Sequence, residues 1–193
     1  MARIPYPRTE DLDPKVKLFF EKIIANDWPV LNLNRIMAHS SGTVRELIKL
    51  GNRLLTRSEL NPRFRELAVM RAARLCGSRY EWAQHVPIAL DAGLSEEQLK
   101  HIDRWKESDL FNPEDKVVLK FAEEIFQDHR VSENTFITAS KFLNHASLVE
   151  LTTAVGYWSM IANLLNTFSV EIEEELVSGH NDLWPDDTFS NRL

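Results

Sequence analysis

Cysteine is almost missing from this chain. Cys76 is the single one in 193 residues, so no disulfide can form within the chain. The opening segment MARIPYPRTEDLD also lacks the apolar stretch of a secretory signal, and together these two absences predict a cytoplasmic protein. Positive charge is short as well, with 23 lysines and arginines against 29 acids, a net charge of −6. Without a dense basic stripe to displace counterions, neither nucleic acid nor an anionic membrane is an expected partner. Long hydrophobic runs are absent. The longest, LTTAVGYWSMIANLL, is too short and too polar at its flanks for a transmembrane span. Only six glycines occur, and no phosphate-cradling loop, dinucleotide fingerprint or nucleophile elbow is found. No cofactor is expected.

What is present is helical punctuation, with no convincing strand alternation. The length and the 44% hydrophobic content suit one globular domain spanning 1–193, with an N-terminal arm (1–13) and a C-terminal tail (177–193). Asn61-Pro62 and Asn112-Pro113 each supply an N-cap followed by proline at the first helical position. Ser95 and Gln98 form a capping box, and Gly93 suits a helix end. Helices are predicted at 14–26, 42–57, 62–76, 79–92, 95–102, 113–129, 132–143 and 146–174, and the fold class is all-α. Residues 26–29 and 106–112 read as loops.

The stretch ELAVMRAARLCGSRYEWAQH, Glu66 to His85, reads as a helical hairpin broken at Gly77-Ser78. On its second helix Ser78, Glu81 and His85 are spaced three and four apart and share a face that continues through Ile88, Ala89 and Ala92. Glu66 shares its stripe with Val69, Met70 and Ala73, which places a carboxylate at the edge of the core. Pairing with an imidazole would keep that carboxylate ionised and fix the histidine tautomer. This is the layout of an oriented acid/base.

In these elements the chain resembles the carboxymuconolactone decarboxylase and alkyl hydroperoxidase D-like family. The resemblance lies in Glu66, GSRYEW, His85, AGLSEEQL and, on an earlier helix, RIMAHS. In the peroxidase branch a Cys-x-x-Cys pair precedes the histidine by four residues, with the glutamate twelve residues before the first cysteine. Those cysteine positions are Ser78 and Glu81 here. The resemblance therefore implies the branch without redox thiols, disfavours thiol peroxidase activity, and leaves Cys76 a packing residue. It also implies a helical bundle built from two related hairpins. A shift of 84 residues lays Glu66 on Glu150, Leu67 on Leu151, Val86 on Val170 and Ile88 on Ile172, while Glu81, His85 and Ser78 fall on Leu165, Ser169 and Ala162. Only the first hairpin could then carry an acid/base.

The function implied is a cofactor-free lyase acting on a small oxygenated organic acid or lactone. His85 would be the proton donor, Glu66 its orienter, and Glu81 a member of the proton network or a substrate contact. Ser78, His39, Arg35 and Arg79 are the candidate substrate contacts, the arginines for a carboxylate. Alternatives are an isomerase, dehydratase or cyclase of similar substrates, or a ligand-binding oligomer without turnover. Plainer readings stand beside each residue: Glu66 as an ion-pair partner of Arg63 or another arginine, Glu150 in a capping box with Ser147, and Tyr80 and Trp82 as core or interface aromatics. A metal is not expected, since Glu81-x-x-x-His85 departs from the Glu-x-x-His of di-iron bundles and zinc sites usually show more imidazole. A homo-oligomer (dimer, trimer or hexamer) is expected, with the arm or tail reaching a neighbour. The apolar helix positions, Trp105 and Trp158 among them, exceed what a small bundle should expose.

Overall fold

The structure, a computed structural model, describes residues 1–174 and 183–185. Among these residues it is all-helical: α1 (Pro14–Ile24), α2 (Asn32–Met37), α3 (Ser41–Thr56), α4 (Pro62–Leu75), α5 (Arg79–Asp91), α6 (Glu96–Lys100), α7 (Pro113–Asp128), α8 (Glu133–Ala139) and α9 (His145–Phe168). The caps read from sequence are in place. Asn61 and Asn112 accept hydrogen bonds from the first turns of α4 and α7, each with proline at the start, and Ser95 and Gln98 close a reciprocal box on α6.

Helix α4 forms the centre. Every residue from Arg65 to Arg74 on it is buried, because α5, α7 and α9 all pack around it. One core joins Leu67, Met70, Trp82, Val86, Leu119, Phe121 and Leu151. A second lies under the N-terminal segments, with Val16, Phe20, Ile36, Val44, Ile161 and Leu165. A third, smaller cluster joins Leu54, Val69, Ala154 and Trp158. Helix α9 is long and apolar enough by length and composition to cross a membrane, and here it packs against α4, α5 and α7. Gly51 lets α3 and α9 close up, since a Cβ there would lie 2.5 Å from the Tyr157 hydroxyl, which donates to the Leu47 carbonyl.

Several boundaries differ from the sequence reading. Helix α2 is not among the predicted helices, being six residues long and stabilised chiefly by burying Ile36 and Met37. The segment predicted as a helix to 174 stops at Phe168, where Ser169 turns left-handed (φ 51°). Val170 N–H then donates back to the Leu165 carbonyl, a helix-terminating bond. Glu150 is not in a capping box with Ser147. Helix α9 is capped by Asn144, and Glu150 instead accepts from Ser58 Oγ (2.6 Å) and Leu60 N (2.9 Å), stapling the α3–α4 loop. The 84-residue shift lays the Gly77-Ser78 turn on Ile161 and Ala162, inside the unbroken α9, so at that register the second segment is not a hairpin. Trp105 and Trp158 are buried within one chain and give no sticky surface. Most of the tail lies outside the described residues. Within it Leu183 is buried and Trp184 packs edge-on against Trp82 of the same chain.

Candidate functional site

The α4–α5 hairpin brings Glu66, Glu81 and His85 together in the interior. Their exposures are 0%, 3% and 4%. The Gly77 turn (φ 62°) reverses the chain, and Ser78 starts α5 by accepting the Glu81 N–H at 3.3 Å. Two turns along, His85 Nδ1–H donates to Glu66 Oε2 at 2.8 Å. The other oxygen of Glu66 accepts from Arg65 Nε at 2.7 Å, while Arg65 Nη1 reaches the carbonyls of Leu54 and Leu55. Nδ1 is thus spoken for, and Nε2 is the nitrogen left to exchange a proton. It faces Glu81 Oε2 at 3.6 Å, too far for a hydrogen bond but close enough for the two charges to couple. The Trp158 ring stands edge-on to His85, centroids 5.2 Å apart.

Burial acts on all three groups and their partners decide the outcome. At Glu66 burial would raise the pKa, but the His85 and Arg65 charges and hydrogen bonds outweigh it and hold the carboxylate ionised. Glu81 lacks such help. Burial, reinforced by Glu66 and only partly opposed by His85, pushes it up to about 7. At His85 burial favours the neutral ring, yet Glu66 and then Glu81 raise the pKa above its ordinary value. A carboxyl group that titrates at about 7 and an imidazole whose pKa is raised therefore face each other in the interior.

The remaining candidates lie elsewhere. Ser78 is buried as the α5 cap. Exposed His39 is bonded through Nε2 to the Pro5 carbonyl, and Arg35 stacks on Tyr6 and bonds Asn32. Arg79 lies over Trp184. None of these joins the Glu66, Glu81 and His85 group. Two surface grooves, of roughly 340 and 600 Å³, run along the N-terminal arm, the larger against His39, and neither is lined by the three site residues. Arg65 and Trp158 were not singled out as site residues from sequence. Adjacent helix positions diverge by about 100°, so no periodicity pairs Arg65 with Glu66; the long guanidinium arm does. Arg63, the partner considered from sequence, pairs with Asp115 instead. Half-buried Cys76 borders the group: burial pushes its thiol up to about 11, the Ser159 hydroxyl eases this, and the Glu81 charge adds to it. Glu66 and Glu81 address opposite ring nitrogens, so the three do not converge on one point as metal ligands would.

Residues 42–124, which contain all three groups, match the Carboxymuconolactone decarboxylase family. Over that segment, somewhat less than half of its length, the chain is similar to this family. No curated protein matches the sequence. Solved structures with the alkyl hydroperoxidase D-like fold superpose over nearly the whole chain. An uncharacterised peroxidase-related protein from Silicibacter sp. TM1040 aligns with TM-score 0.77 at 14% identity, covering 92% of this chain and 94% of its own. An uncharacterised peroxidase-related protein with the alkylhydroperoxidase AhpD core, from Ralstonia eutropha JMP134, gives 0.73 at 17%, covering 91% and 94%. A variant of the debrominase Bmp8, complexed with 2,3,4-tribromopyrrole, gives 0.73 at 13%, covering 93% and 95%. At these identities the likeness is one of fold, which all three share with this chain.

Proposed function

We propose that this protein is a cofactor-free general acid/base enzyme of the carboxymuconolactone decarboxylase family, lyase-like, acting on a small oxygenated organic acid or lactone. The observation that carries the reading is the Glu66–His85 pair with Glu81 on the opposite ring nitrogen. Glu66 fixes the ring and stabilises the imidazolium. Nε2 gives the proton to, or takes it from, the reacting carbon or oxygen, and Glu81 exchanges a proton with the same region. A substrate that loses a proton or CO₂ leaves an electron pair on carbon, so it must carry its own sink, such as a carbonyl or enone. The dry, apolar walls around Trp158 strengthen each of these charge interactions. The three groups are enclosed, so a substrate reaches Nε2 only when the covering elements part. The edge bearing Cys76 and Ser159, beside Glu81, is the opening this reading favours.

The test is a panel of lactones, β-keto acids and phenolic acids followed for CO₂ release or ultraviolet change, with wild type and His85→Gln in parallel. Turnover by the wild type and its loss, by a hundredfold or more, in a His85→Gln variant of unchanged helical content is expected. A folded His85→Gln that keeps near-normal turnover would sink the reading.

A further inference from the structure

The charges around the three groups limit what they can hold. The charged residues acting on Glu81 are His85 and Glu66, and Arg65 is the cation that bears on His85. Arg65 is already committed, to Glu66 and to two backbone carbonyls of α3. The arginines that sequence suggested for a substrate carboxylate are on other surfaces, Arg35 against Tyr6 and Arg79 against Trp184. The neighbouring cluster of Leu54, Val69, Ala154 and Trp158 is uncharged. Arg65 and Glu66 cancel. Glu81, pushed up by burial, and His85, raised by the two glutamates, draw on the same protons, and the pair of carboxylate and imidazolium leaves the site uncharged. Among the described residues, a substrate carboxylate placed here would meet two glutamates and no unspent cation in a desolvated interior, an arrangement tolerated only if the site takes up a further proton.

We infer that the substrate presents an uncharged, oxygenated group to Glu81 and His85, such as a lactone, an enone or a phenol, and not a carboxylate. Any carboxylate it carries lies away from the reacting end. This rests on the acid/base reading of the site and narrows its substrate class from acid or lactone to the neutral member.

Matched pairs test it: γ-valerolactone against 4-hydroxyvalerate, and methyl 3-hydroxybenzoate against 3-hydroxybenzoate. Binding to the full chain is measured by calorimetry at pH 6 and pH 8, each in two buffers of different ionisation enthalpy, and kcat/KM is compared wherever turnover occurs. At pH 8 the neutral member of a pair should bind at least tenfold more tightly, without net proton uptake. The acid should gain on it towards pH 6 and take up about one proton per molecule bound. Equal or tighter binding of the acid at pH 8, acid binding without proton uptake, or failure of both neutral members to bind would overturn the inference. An acid-preferring site that still turns substrate over through His85 would leave the acid/base reading standing. Neutral preference without turnover of any compound would support the charge selection and count against catalysis.

Discussion

Glu81 is the side chain whose charge this fold accommodates least. Its pKa rises from 4.5 unfolded to about 7 folded, so the folded state favours the protonated form. Stability is therefore lost as pH climbs through that window, by about 3 kcal/mol. His85, a base with a raised pKa, works in the same direction: its stabilisation is full below 6.5 and fades as pH passes the folded value. Glu66 is opposite, its lowered pKa giving stability above 4.5 that is lost on acidification. The three together place the stability maximum on the acid side of neutrality. Glu81→Gln should melt at a higher temperature than wild type at pH 8, by an amount equivalent to about 1–3 kcal/mol, and show little difference at pH 4. Equal melting temperatures at pH 8 would mean that Glu81 is not held against its charge. Glu66→Gln keeps a hydrogen bond but removes the charge, so the His85 pKa should fall, read from the pH dependence of its ring proton signals. At this scale the sequence was informative where spacing carried the signal. Glu66 and His85 could be paired because a hairpin break separates two stripes of matching phase. Arg65 could not, because its contact depends on side-chain reach.

Helix starts were legible for a physical reason. Asn-Pro and Ser-x-x-Gln satisfy orphan N–H groups locally, so Asn61, Ser95 and Asn112 mark α4, α6 and α7 without tertiary context. Helix α2 and the end of α9 depend on long-range partners that local sequence does not announce. The chain after Ser169 is held by Glu173, which accepts from Tyr80 OH, Gln84 Nε2 and Asn32 N, and by Glu171, bonded to Tyr6. Glu150 illustrates the same limit, since its helix offered a plausible cap while its true partners, Ser58 and Leu60, lie on the α3–α4 loop. Glu150→Gln should cost about 1 kcal/mol of stability in denaturant titration and leave turnover per folded molecule unchanged. A large loss of kcat without loss of stability would contradict this structural role.

For the molecule as a whole, the all-α architecture followed from the absence of strand alternation, and the buried charges tie its parts together. Arg71 and Arg74 on α4 meet Asp103 in the turn after α6, and Arg71 also meets Glu123 on α7, which accepts from Trp105 Nε1. Asp103→Asn removes a carboxylate shared by two buried guanidinium groups and should destabilise by roughly 3 kcal/mol in denaturant titration. With Trp105 and Trp158 internal, the expectation of a homo-oligomer now leans on exposed Leu18, Ile24 and Trp28. Light scattering that gives the mass of a single chain at every concentration would dismiss it. The solitary Cys76 has a practical consequence. Its thiol, pushed up by burial to about 11, should react with a disulfide reagent at pH 8 about a hundredfold more slowly than the same cysteine in the denatured chain. Because no second thiol competes, the labelling rate reads the surroundings of this one sulfur, beside Glu81. The chain thus carries its own reporter on the interior next to the acid/base group, and on the function proposed above a ligand seated against His85 should slow the labelling.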